Sequence, residues 1–450
     1  MPYTGQRSSS ENRAGGRASL ETRRMIALTT LWHYLRTRRL QFADRAALLA
    51  HQDRQLRRYA RRVLTRSPYF ARCAELHFAA WPTMDKALMM QHFDAINTAG
   101  LKRDALLAVA RRSEAERDFT PRVGRYSVGL SSGTSGQRGL FVVSPREQAA
   151  WAGVMLARLL PAGLTAGERV ALFLRADNHL YHSVDNHWLS LSFHDLFAPF
   201  EAQCARLQAE RPSIVVAPAQ VLRALALAVR DGSLRIAPKL VISVAEVLEP
   251  ADRALLGEVF PRVGEVYQAT EGFLAATCPQ GTLHLNEEFL RIEPQWLDEQ
   301  RFTPWVTDFT RQTQPIVRYR LDDVLVRRAE PCPCGRAGLA LAAIEGRCDD
   351  QLLLPGADGQ VKPVFADLCS RLIANALPLT ADYRLEQHGA DRLQLTADCP
   401  LADIERCRAA LIAGFARQGV AVAALHWRLA SQPLPADFRH KRRRIRRLAS

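Results

Sequence analysis

The chain of 450 residues is 48% hydrophobic and 24% charged, which is the balance of a globular protein. It is too long for one compact core, so we expect a large domain and at least one smaller one. Nine scattered cysteines argue against a disulfide framework, no apolar run is long enough to span a membrane, and the N-terminus lacks the apolar region of a secretory signal. We therefore expect a cytoplasmic protein without a membrane segment.

Lysine and arginine outnumber aspartate and glutamate by 61 to 46, which favours anionic ligands such as nucleotides, acidic carriers or nucleic acid. The excess is spread along the chain except at its end, where six cationic side chains lie within residues 440–447. This basic tail and the arginine-rich N-terminal part are also typical of a nucleic-acid-binding protein, whose affinity would fall steeply with salt. That class is the alternative to an enzyme.

Residues 1–20 are rich in Ser, Gly and Arg and are expected to form a disordered leader. From there to about residue 115, apolar residues recur at three- and four-residue spacing, which predicts helices. Between residues 123 and 344, β-rich runs (RVALFL, SIVVAP, KLVISV, GEVYQA) alternate with helical stretches such as AQVLRALALAV. This alternation predicts βαβ units around a largely parallel sheet.

After Arg347 the pattern changes to a strand, a helix (DLCSRLIANAL) and two further strands, which predicts a small α+β unit. We therefore expect an α/β protein with two domains. The large N-terminal domain, residues 21–346, would hold mixed or parallel sheets and helices, and the small C-terminal domain, residues 347–450, would carry the basic tail. A short hinge at Asp349–Asp350 would join them.

A turn rich in glycine and hydroxyl side chains, SSGTSGQRG at residues 131–139, follows the predicted strand YSVGL. Its glycines let backbone N–H groups crowd around an anion, its hydroxyls add donors and Arg138 adds charge, so the composition is that of a phosphate cradle. It is not a Walker A loop, because the order G-x-x-x-x-G-K-[ST] is absent. A flexible surface turn is the alternative that the loop alone leaves open.

Three further segments follow downstream, namely YQATE at residues 267–271, YRLDD at 319–323 and GRCDD at 346–350. Together with the Ser/Gly loop, and in the same order, they resemble the signatures of the adenylate-forming superfamily, the acyl-CoA synthetases and their relatives. Within it, the segments LRADNHLYHSV, TDFTRQTQPIVRYRLDDVL and CPCGR are most similar to the phenylacetate–CoA ligases and the coenzyme F390 synthetase-related group. The resemblance covers residues 127–350 and does not include the N-terminal helical part.

The resemblance implies which residues handle the phosphates of ATP. Those that would grip the β- and γ-phosphates are Ser131, Ser132, Gly133, Thr134, Ser135 and Gly136. Arg138 stands where the family has a basic residue. Thr270 would contact the α-phosphate, and Glu271 would ligate Mg²⁺, a hard cation that prefers oxygen ligands beside phosphates. A carboxylate near a helix cap is the structural alternative for Glu271 alone.

The resemblance also implies the residues that bind the nucleoside. Tyr267 would pack against the adenine, and Asp323 would accept hydrogen bonds from both ribose hydroxyls. Arg347, at the hinge, would reach the ribose or a phosphate. Ala245 and Glu246 stand where the family has an adenine wall, although a valine replaces the usual glycine before them. Any one of these residues alone could be a core or turn residue.

The last signature of the family is a C-terminal lysine that bridges the carboxylate and the α-phosphate during adenylation. The resemblance implies that a mobile C-terminal lid domain, here residues 347–450, delivers this lysine. Lys441 is the candidate, because Lys362 lies too near the hinge. His440 replaces the usual glycine before it, and three arginines follow it at once. A solvated basic tail that happens to contain a lysine is the alternative.

A second constellation consists of Cys278 and His284, followed at a distance by Cys332 and Cys334. Three thiols and one imidazole suit tetrahedral Zn²⁺, and a closed Cys₃His set is structural and not catalytic. The two cysteines of CPCG are too close in sequence for a relaxed disulfide. We therefore predict a structural zinc site, the alternative being four ordinary residues near turns.

The resemblance implies an AMP-forming ligase that activates a small carboxylic acid, with an aryl acid favoured, as an acyl-adenylate and releases pyrophosphate. The acyl group would then pass to the thiol of coenzyme A or to the phosphopantetheine of an acyl carrier protein. An adenylyltransferase of the coenzyme F390 synthetase type, which leaves AMP on a hydroxyl, and a scaffold without activity are the alternatives. Relatives of this type often pair as dimers, so a homodimer is one expectation.

Overall fold

The computed structural model describes residues 9–116, 118, 121–131, 138–174, 189–347 and 351–448, with side chains from residue 24 onward. The helices in these ranges are α1 (Ser9–Arg39), α2 (Arg45–Arg62), α3 (Lys86–Gln91), α4 (Phe93–Ile96), α5 (Arg103–Glu116), α6 (Pro145–Leu159), α7 (Phe200–Glu210), α8 (Ala219–Arg230), α9 (Pro250–Val259), α10 (Ala366–Ala374) and α11 (Leu401–Arg417). Short 3₁₀ turns lie at Leu64–Arg66, Ala71–Ala74, Phe78–Ala80 and Val422–Ala424. The predicted helices AQVLRALALAV and DLCSRLIANAL are confirmed as α8 and α10.

The strands are β1 (Arg122–Val123), β2 (Tyr126–Leu130), β3 (Leu140–Val143), β4 (Glu168–Leu174), β5 (Leu189–Asp195), β6 (Ile214–Ala217), β7 (Leu240–Ser243), β8 (Val263–Ala269), β9 (Gly272–Thr277), β10 (Leu283–Leu285), β11 (Leu290–Trp296), β12 (Arg301–Asp308), β13 (Ile316–Arg320), β14 (Asp323–Arg327), β15 (Ala340–Arg347), β16 (Leu352–Pro355), β17 (Val361–Val364), β18 (Tyr383–His388), β19 (Arg392–Ala397), β20 (His426–Ser431) and β21 (Ile445–Leu448). The predicted strands YSVGL, RVALFL, SIVVAP, KLVISV and GEVYQA are confirmed as β2, β4, β6, β7 and β8. Their β-branched and aromatic residues fit a pleated, buried surface.

A sheet of twelve strands dominates the described structure, in the order β11-β12-β14-β15-β10-β9-β8-β7-β6-β4-β5, with β13 paired to β12. Strands β5, β4, β6, β7 and β8 run parallel, and every residue of β6 and β7 is buried, as expected for central strands covered on both faces. The remaining strands of this sheet, β9 to β15, pair antiparallel. The expected α/β fold is therefore confirmed, with parallel pairing in one half of this sheet.

Helix α6 packs against the twelve-stranded sheet, and α1 packs along α6. The contact between the two helices is close because residue 153 of α6 is glycine, where a Cβ would lie 2.7 Å from His33 Cβ and 2.9 Å from the Tyr34 amide nitrogen. Helix α6 begins with a capping box, in which the Ser144 hydroxyl accepts from the Glu147 amide and the Glu147 carboxylate accepts from the Ser144 amide. The cap fixes the start of α6 just beyond the Ser/Gly loop.

A separate core lies within residues 352–445 and combines α10 and α11 with the sheet β20-β19-β18-β21. This arrangement agrees with the small α+β unit expected after Arg347, while its boundary and its mobility remain predictions. Helix α1 begins at Ser9 and so overlaps the segment expected as a disordered leader. Within the described ranges, no helix combines the length and the apolar character needed to cross a bilayer.

Candidate active site

A cavity of about 1030 Å³ lies at the carboxyl ends of the parallel strands. Because these strands all end at one edge of the sheet, the loops after β7 and β8 meet there although they are distant in sequence. The predicted site residues that line the cavity are Ser131, Ala245, Glu246, Tyr267, Thr270, Glu271, Asp323, Arg347 and Lys441. The fold therefore unites the segments that the sequence resemblance singled out.

Tyr267, which is buried, and Asp323, which is partly exposed, form a hydrogen-bonded pair in the cavity wall. The Tyr267 hydroxyl donates to Asp323 Oδ2 at 2.6 Å, and Arg347 Nε lies 3.8 Å from Asp323 Oδ1. The sheet creates this contact, because Asp323 at the start of β14 pairs with Arg347 at the end of β15. Burial raises the pKa of Asp323, against the Tyr267 hydrogen bond and the charges of Arg347 and Lys441. A hydroxyl-bearing ligand in the cavity would find an oriented acceptor here.

Thr270 and Glu271 form the turn at the end of β8. The Thr270 hydroxyl donates to Glu271 Oε2 at 2.9 Å, and the Arg311 guanidinium donates to the Thr270 carbonyl at 3.2 Å. Glu271 is buried, and burial together with the charge and hydrogen bond of Glu271 raises the pKa of the Tyr319 phenol far above its ordinary value. A carboxylate next to a hydroxyl on the wall of a cavity is a suitable oxygen donor set for Mg²⁺.

The turn after β7 adopts an unusual backbone conformation. Ala245 has a φ of +66°, in the left-handed region that costs residues other than glycine about 1–2 kcal/mol. The Glu246 carboxylate accepts from the Gln220 amide at 3.2 Å and from the Gln220 side chain at 2.8 Å, and it also accepts from the Arg442 amide at 3.3 Å. Burial nevertheless raises the pKa of Glu246. Glu246 thus connects the cavity rim to the C-terminal tail.

The backbone on both sides of Lys441 is fixed. On one side the Gln220 side chain donates to the His440 carbonyl at 2.7 Å, and on the other the Arg442 amide donates to Glu246. Lys441 itself lines the cavity. The structure therefore brings the predicted adenylation lysine to the predicted nucleotide site.

A buried ionic cluster, centred on Asp252 of α9, holds the residues that follow Lys441. Asp252 is 0% exposed and pairs with Arg442, with Arg444 at 3.0 Å, and with Arg223 of α8 at 3.0 Å. Arg444 also pairs with Glu249 at 2.8 Å. We call this set the Asp252 cluster. It attaches the C-terminal tail to the large α/β part of the chain.

Only the two ends of the Ser/Gly loop lie within the described residues. Ser131 Oγ accepts from the Gly139 amide at 2.7 Å and closes the loop. Arg138 donates to the Ser131 carbonyl at 2.9 Å and pairs with Glu114 of α5 through both carboxylate oxygens. Arg138 is thus directed toward α5 and is absent from the described lining of the cavity. The other loop residues predicted to bind phosphate lie outside the described residues, namely Ser132, Gly133, Thr134, Ser135 and Gly136.

Further cationic side chains that were not predicted as site residues also line the cavity, among them Lys86 and Arg311. Lys86 is brought there because Met84 forms a bridge to Tyr319 in β13, and no spacing or motif in the sequence marks that contact. Arg311 lies within the quoted segment TDFTRQTQP, which could have identified it. Its Nε and Nη2 atoms are buried without a hydrogen-bond partner, although such nitrogens normally find an acceptor.

Another wall of the cavity is apolar. It is formed by α6 and by the parallel strands, and its members include Trp151, Met155, Leu159, Leu172, Leu174, Val216 and Ile242. His33 and Arg36 of α1 line the same cavity. The cavity therefore combines a polar region around Asp323 and Glu271 with an apolar region on the face of the sheet.

The four predicted zinc ligands come together at the C-terminal end of β9, whereas Glu271 of the cavity lies just before its N-terminal end. Cys278 and His284 lie on either side of a tight turn, and Cys332 and Cys334 lie in the loop before β15, which pairs with β10. Their ligand atoms all lie within 4.8 Å of one another. Cys278 Sγ is 3.7 Å from Cys332 Sγ, and Cys334 Sγ is 3.3 Å from His284 Nε2. A tetrahedral ion with metal–sulfur bonds of about 2.3 Å separates two sulfurs by roughly 3.7 Å.

The surroundings of the cluster orient its ligands. His284 is 1% exposed, and its Nδ1 lies 3.1 Å from the Gly338 carbonyl, which leaves Nε2 directed at the thiols. Burial acts to raise the pKa of both CPCG thiols. Hydrogen bonds lower the pKa of Cys332 to about 6, whereas the pKa of Cys334, next to the other thiols, is raised to about 11, so one of the two thiols ionises readily. A thiol that ionises readily is a good metal ligand.

Neither a protein-family model nor a curated protein matches the sequence. Solved structures of a 2-hydroxyisobutyryl-CoA ligase do match. Its postadenylation state, in complex with R3-HIB-AMP, is 16% identical over 90% of this chain and 89% of that chain, with a TM-score of 0.65. An open conformation of the same ligase, in complex with 2-HIB-AMP and CoA, matches with a TM-score of 0.55. It is 15% identical over 90% of this chain and 91% of that chain. The thioesterification state of this ligase matches with a TM-score of 0.51 and is 17% identical over 89% of each chain.

These likenesses extend over about nine tenths of both chains. At an identity of 15–17%, these matches establish that the two proteins share a fold and nothing more. The chain therefore has the same fold as this 2-hydroxyisobutyryl-CoA ligase.

Proposed function

We propose that this protein activates a carboxylic acid with ATP, forming an acyl-adenylate and pyrophosphate, and then transfers the acyl group to a thiol. The thiol belongs to coenzyme A or to the phosphopantetheine of a carrier protein. The observation that carries the proposal is a single cavity lined by Thr270, Glu271, Asp323 and Lys441. The similar 2-hydroxyisobutyryl-CoA ligase was solved with an acyl-AMP, which supports it.

In this proposal the nucleoside of ATP lies between the turn after β7 and the start of β14. Asp323 accepts hydrogen bonds from the ribose hydroxyls, and the Tyr267 hydroxyl keeps the Asp323 carboxylate in position. The Tyr267 ring and the Ala245–Glu246 turn flank the adenine. Arg347, which is close to Asp323, contacts the ribose or a phosphate.

The chemical step is the attack of a carboxylate oxygen on the α-phosphorus, which forms a phosphorus–oxygen bond as the bond to pyrophosphate breaks. Negative charge grows on the phosphate oxygens, so oriented donors and cations lower the barrier. Lys441 neutralises charge between the carboxylate and the α-phosphate, and Thr270 donates to that phosphate. Glu271 would hold Mg²⁺, which when bound withdraws charge from the phosphate oxygens. Lys86 and Arg311 add positive charge on the cavity wall.

The position of Lys441 supports an arrangement suited to this first step. In the proposal, the C-terminal unit must later move so that a thiol can reach the adenylate. The TM-score is 0.65 with the postadenylation state of the similar ligase and 0.51 with its thioesterification state. This difference favours the adenylation arrangement for the structure described here.

The apolar wall supports an apolar acyl group. Trp151 and Met155 of α6 line this wall together with aliphatic side chains of the parallel strands. Such a surface binds an aromatic or branched group better than a charged one, because burial of apolar area is favourable by about 25 cal/mol per Å². An aryl acid is therefore the proposed substrate.

We also propose that the Cys278, His284, Cys332 and Cys334 cluster binds a structural Zn²⁺. The protein as purified without chelator should contain about one zinc per chain, and Cys334→Ser should lower both the zinc content and the Tm. Cys204→Ser, at a half-buried cysteine outside the cluster, is the matched control and should change neither. Absence of zinc, with an unchanged Tm in Cys334→Ser, would refute the site.

The proposed function is tested by measuring pyrophosphate release from ATP with a panel of aryl, branched and short aliphatic acids. Release that depends on the acid is expected, together with an acyl-adenylate that a thiol consumes. A stable AMP ester formed on a hydroxyl without any thiol would instead establish adenylyl transfer. No release with any acid, from protein that is folded by circular dichroism, would contradict both reactions.

A further inference from the structure

The N-terminal helical part carries a concentrated positive charge. Residues 24–66 contain eleven arginines, no lysine and only two acidic residues, a net charge of +9 out of +15 for the whole chain. This segment comprises most of α1 and all of α2. The proposed catalytic steps use none of these arginines.

One face of α1 exposes large apolar side chains. They are Met25, Leu28, Leu31, Trp32 and Leu35, each between 42% and 67% exposed. Their spacing places them on one side of the helix, while Thr30, Tyr34 and Thr37 on the other side are buried where α1 packs on α6. The exposed stripe is therefore not needed for the packing of α1 on the rest of the protein.

The arginines of α2 form a second stripe. The exposed set is Arg54, Arg57, Arg58, Arg61 and Arg62. The two stripes meet at Arg36, whose guanidinium lies over the Trp32 ring at 5.3 Å and is close enough to Arg58 for their charges to repel. We call the combined surface the α1–α2 face. It is an apolar stripe bordered by guanidinium groups.

We propose that the α1–α2 face docks the acidic carrier protein whose phosphopantetheine thiol accepts the acyl group, a proposal that rests on the proposed function. The charge requires an acidic partner, because guanidinium groups pair with carboxylates. A second copy of this chain does not fit, since a two-fold interface would place arginines against arginines. Coenzyme A could pair its phosphates with a few of the arginines, but it offers little apolar surface for the stripe from Met25 to Leu35, which extends over about 15 Å of α1.

The location of the face suits delivery of a thiol. His33 and Arg36, on α1 beside the exposed stripe, line the cavity in which the acyl-adenylate is proposed to form. The α1–α2 face therefore lies on the outer side of a wall of that cavity. A partner with a flexible arm would be held next to the site where its thiol is used.

An anionic membrane surface is the competing ligand of a different class. The exposed apolar side chains form a stripe about one helix face wide, and the arginines lie mainly on a second helix. An interfacial membrane helix instead has a broad apolar face bordered by its own basic residues. The geometry therefore favours a protein partner with a matching apolar ridge and acidic flanks.

The test compares two triple variants of the full chain in acyl transfer to a panel of acidic holo acyl carrier proteins. Arg54→Ser, Arg57→Ser and Arg61→Ser together should raise the KM for the carrier by about tenfold, and added salt should reduce the difference. The matched control, Arg384→Ser, Arg392→Ser and Arg428→Ser, removes three exposed arginines from the C-terminal sheet and should leave that KM unchanged. Acid-dependent exchange of pyrophosphate into ATP should be the same in both variants.

Three outcomes would overturn the proposal while exchange remains intact. They are transfer to CoA but to no carrier in the panel, equal carrier KM values in the two triple variants, and sedimentation with phosphatidylserine vesicles that the α2 variant abolishes without changing carrier acylation. Loss of exchange in the unmodified protein would instead refute the proposed function. The two failures are thus distinguishable.

Discussion

Asp252 in the ionic cluster and Asp308 on the cavity wall are both buried, but their pKa values shift in opposite directions. Burial acts to raise the pKa of Asp252, but Arg444, Arg442 and Arg223 outweigh it and lower that pKa to about 2. Asp308, at the end of β12 on the cavity wall, is also buried, and its pKa rises to about 6 because the Thr310 hydrogen bonds and the Arg311 charge do not compensate.

The difference separates a structural region from a binding region. In the Asp252 cluster the carboxylate is matched by three arginines of this chain, and the cluster needs no further partner to be stable. The cavity holds polar groups whose pairing is incomplete, such as the Arg311 nitrogens without an acceptor. One C-terminal segment serves both regions, because Arg442 and Arg444 bind Asp252 while Lys441 lines the cavity.

Asp252→Ala should have the largest effect on stability, because it leaves three arginines near an empty, buried site. Removing one partner of a buried ion pair costs about 3–5 kcal/mol. Urea unfolding should show this loss, with the control Asp358→Ala, at an exposed aspartate, close to the unmodified protein. Since the pKa of Asp252 is lowered, its contribution is present above about pH 4 and is lost as the pH falls toward about 2. Equal stability of both variants would show that the Asp252 cluster does not stabilise the fold.

Glu271→Ala should abolish acid-dependent pyrophosphate release, a loss of about a hundredfold or more, because the metal ligand proposed at the phosphates is gone. Folding is checked separately by circular dichroism, and ATP binding by calorimetry. Glu258→Ala, at an exposed glutamate on α9, is the matched control and should release pyrophosphate at the normal rate. Normal release by Glu271→Ala would contradict the role assigned to this carboxylate.

Asp308→Asn should change the pH dependence of stability. The folded state binds the Asp308 proton more tightly than the unfolded chain does, so the free energy of unfolding falls as the pH rises from about 4 to about 6. With a pKa shift near two units, this contribution is at most about 3 kcal/mol. Chemical unfolding at pH 4 and pH 7 should show a smaller decrease for Asp308→Asn, and an unchanged decrease would refute the assignment.

Lys441→Ala should lower the rate of acyl-adenylate formation at least about tenfold, which corresponds to about 1.4 kcal/mol of barrier. The second half-reaction, thiol attack on a supplied acyl-adenylate, should change much less, because Lys441 is proposed to act on the first step. Lys362→Ala, which removes the lysine that pairs with Asp358 at 2.6 Å, is the control and should retain full activity. Full activity of Lys441→Ala would show that Lys441 has no part in adenylation and that the tail serves only to attach the C-terminal segment to the Asp252 cluster.

Ala245→Gly should give the smallest effect, a gain in stability of about 1 kcal/mol, because glycine adopts the positive φ of this turn without strain. The matched control is Ala409→Gly on an exposed position of α11, where the same exchange should cost about 1 kcal/mol. Thermal unfolding should show a higher Tm for Ala245→Gly and a lower Tm for Ala409→Gly than for the unmodified protein. A loss of stability in Ala245→Gly would show that the cavity rim is not strained.

Much of the fold was predictable from the sequence because it depends on local patterns. The runs that became β4, β6, β7 and β8 are short, apolar and separated by helical stretches, so their order already indicated a parallel half-sheet. The motifs after β7 and β8 could be placed at one edge for the same reason. The Cys₃His cluster was predictable from residue types, since few other arrangements use three thiols and an imidazole.

The features that were not predicted depend on contacts between distant segments. Asp252 lies in an ordinary helical sequence, and nothing near it reveals that two arginines of the C-terminal tail bind it. Lys86 reaches the cavity through a single bridge between Met84 and Tyr319. The pairing of Arg138 with Glu114 likewise requires α5 to lie beside the Ser/Gly loop, which the helical pattern alone does not specify.

The central claim is that the cavity holds ATP and presents its α-phosphorus to a carboxylate. The most direct measurement is exchange of labelled pyrophosphate into ATP, with and without an aryl acid. The account predicts exchange that requires the acid and needs no thiol, because the adenylate forms reversibly before any acyl transfer. Exchange that is independent of the acid, or absent from folded protein supplied with magnesium, would contradict the account.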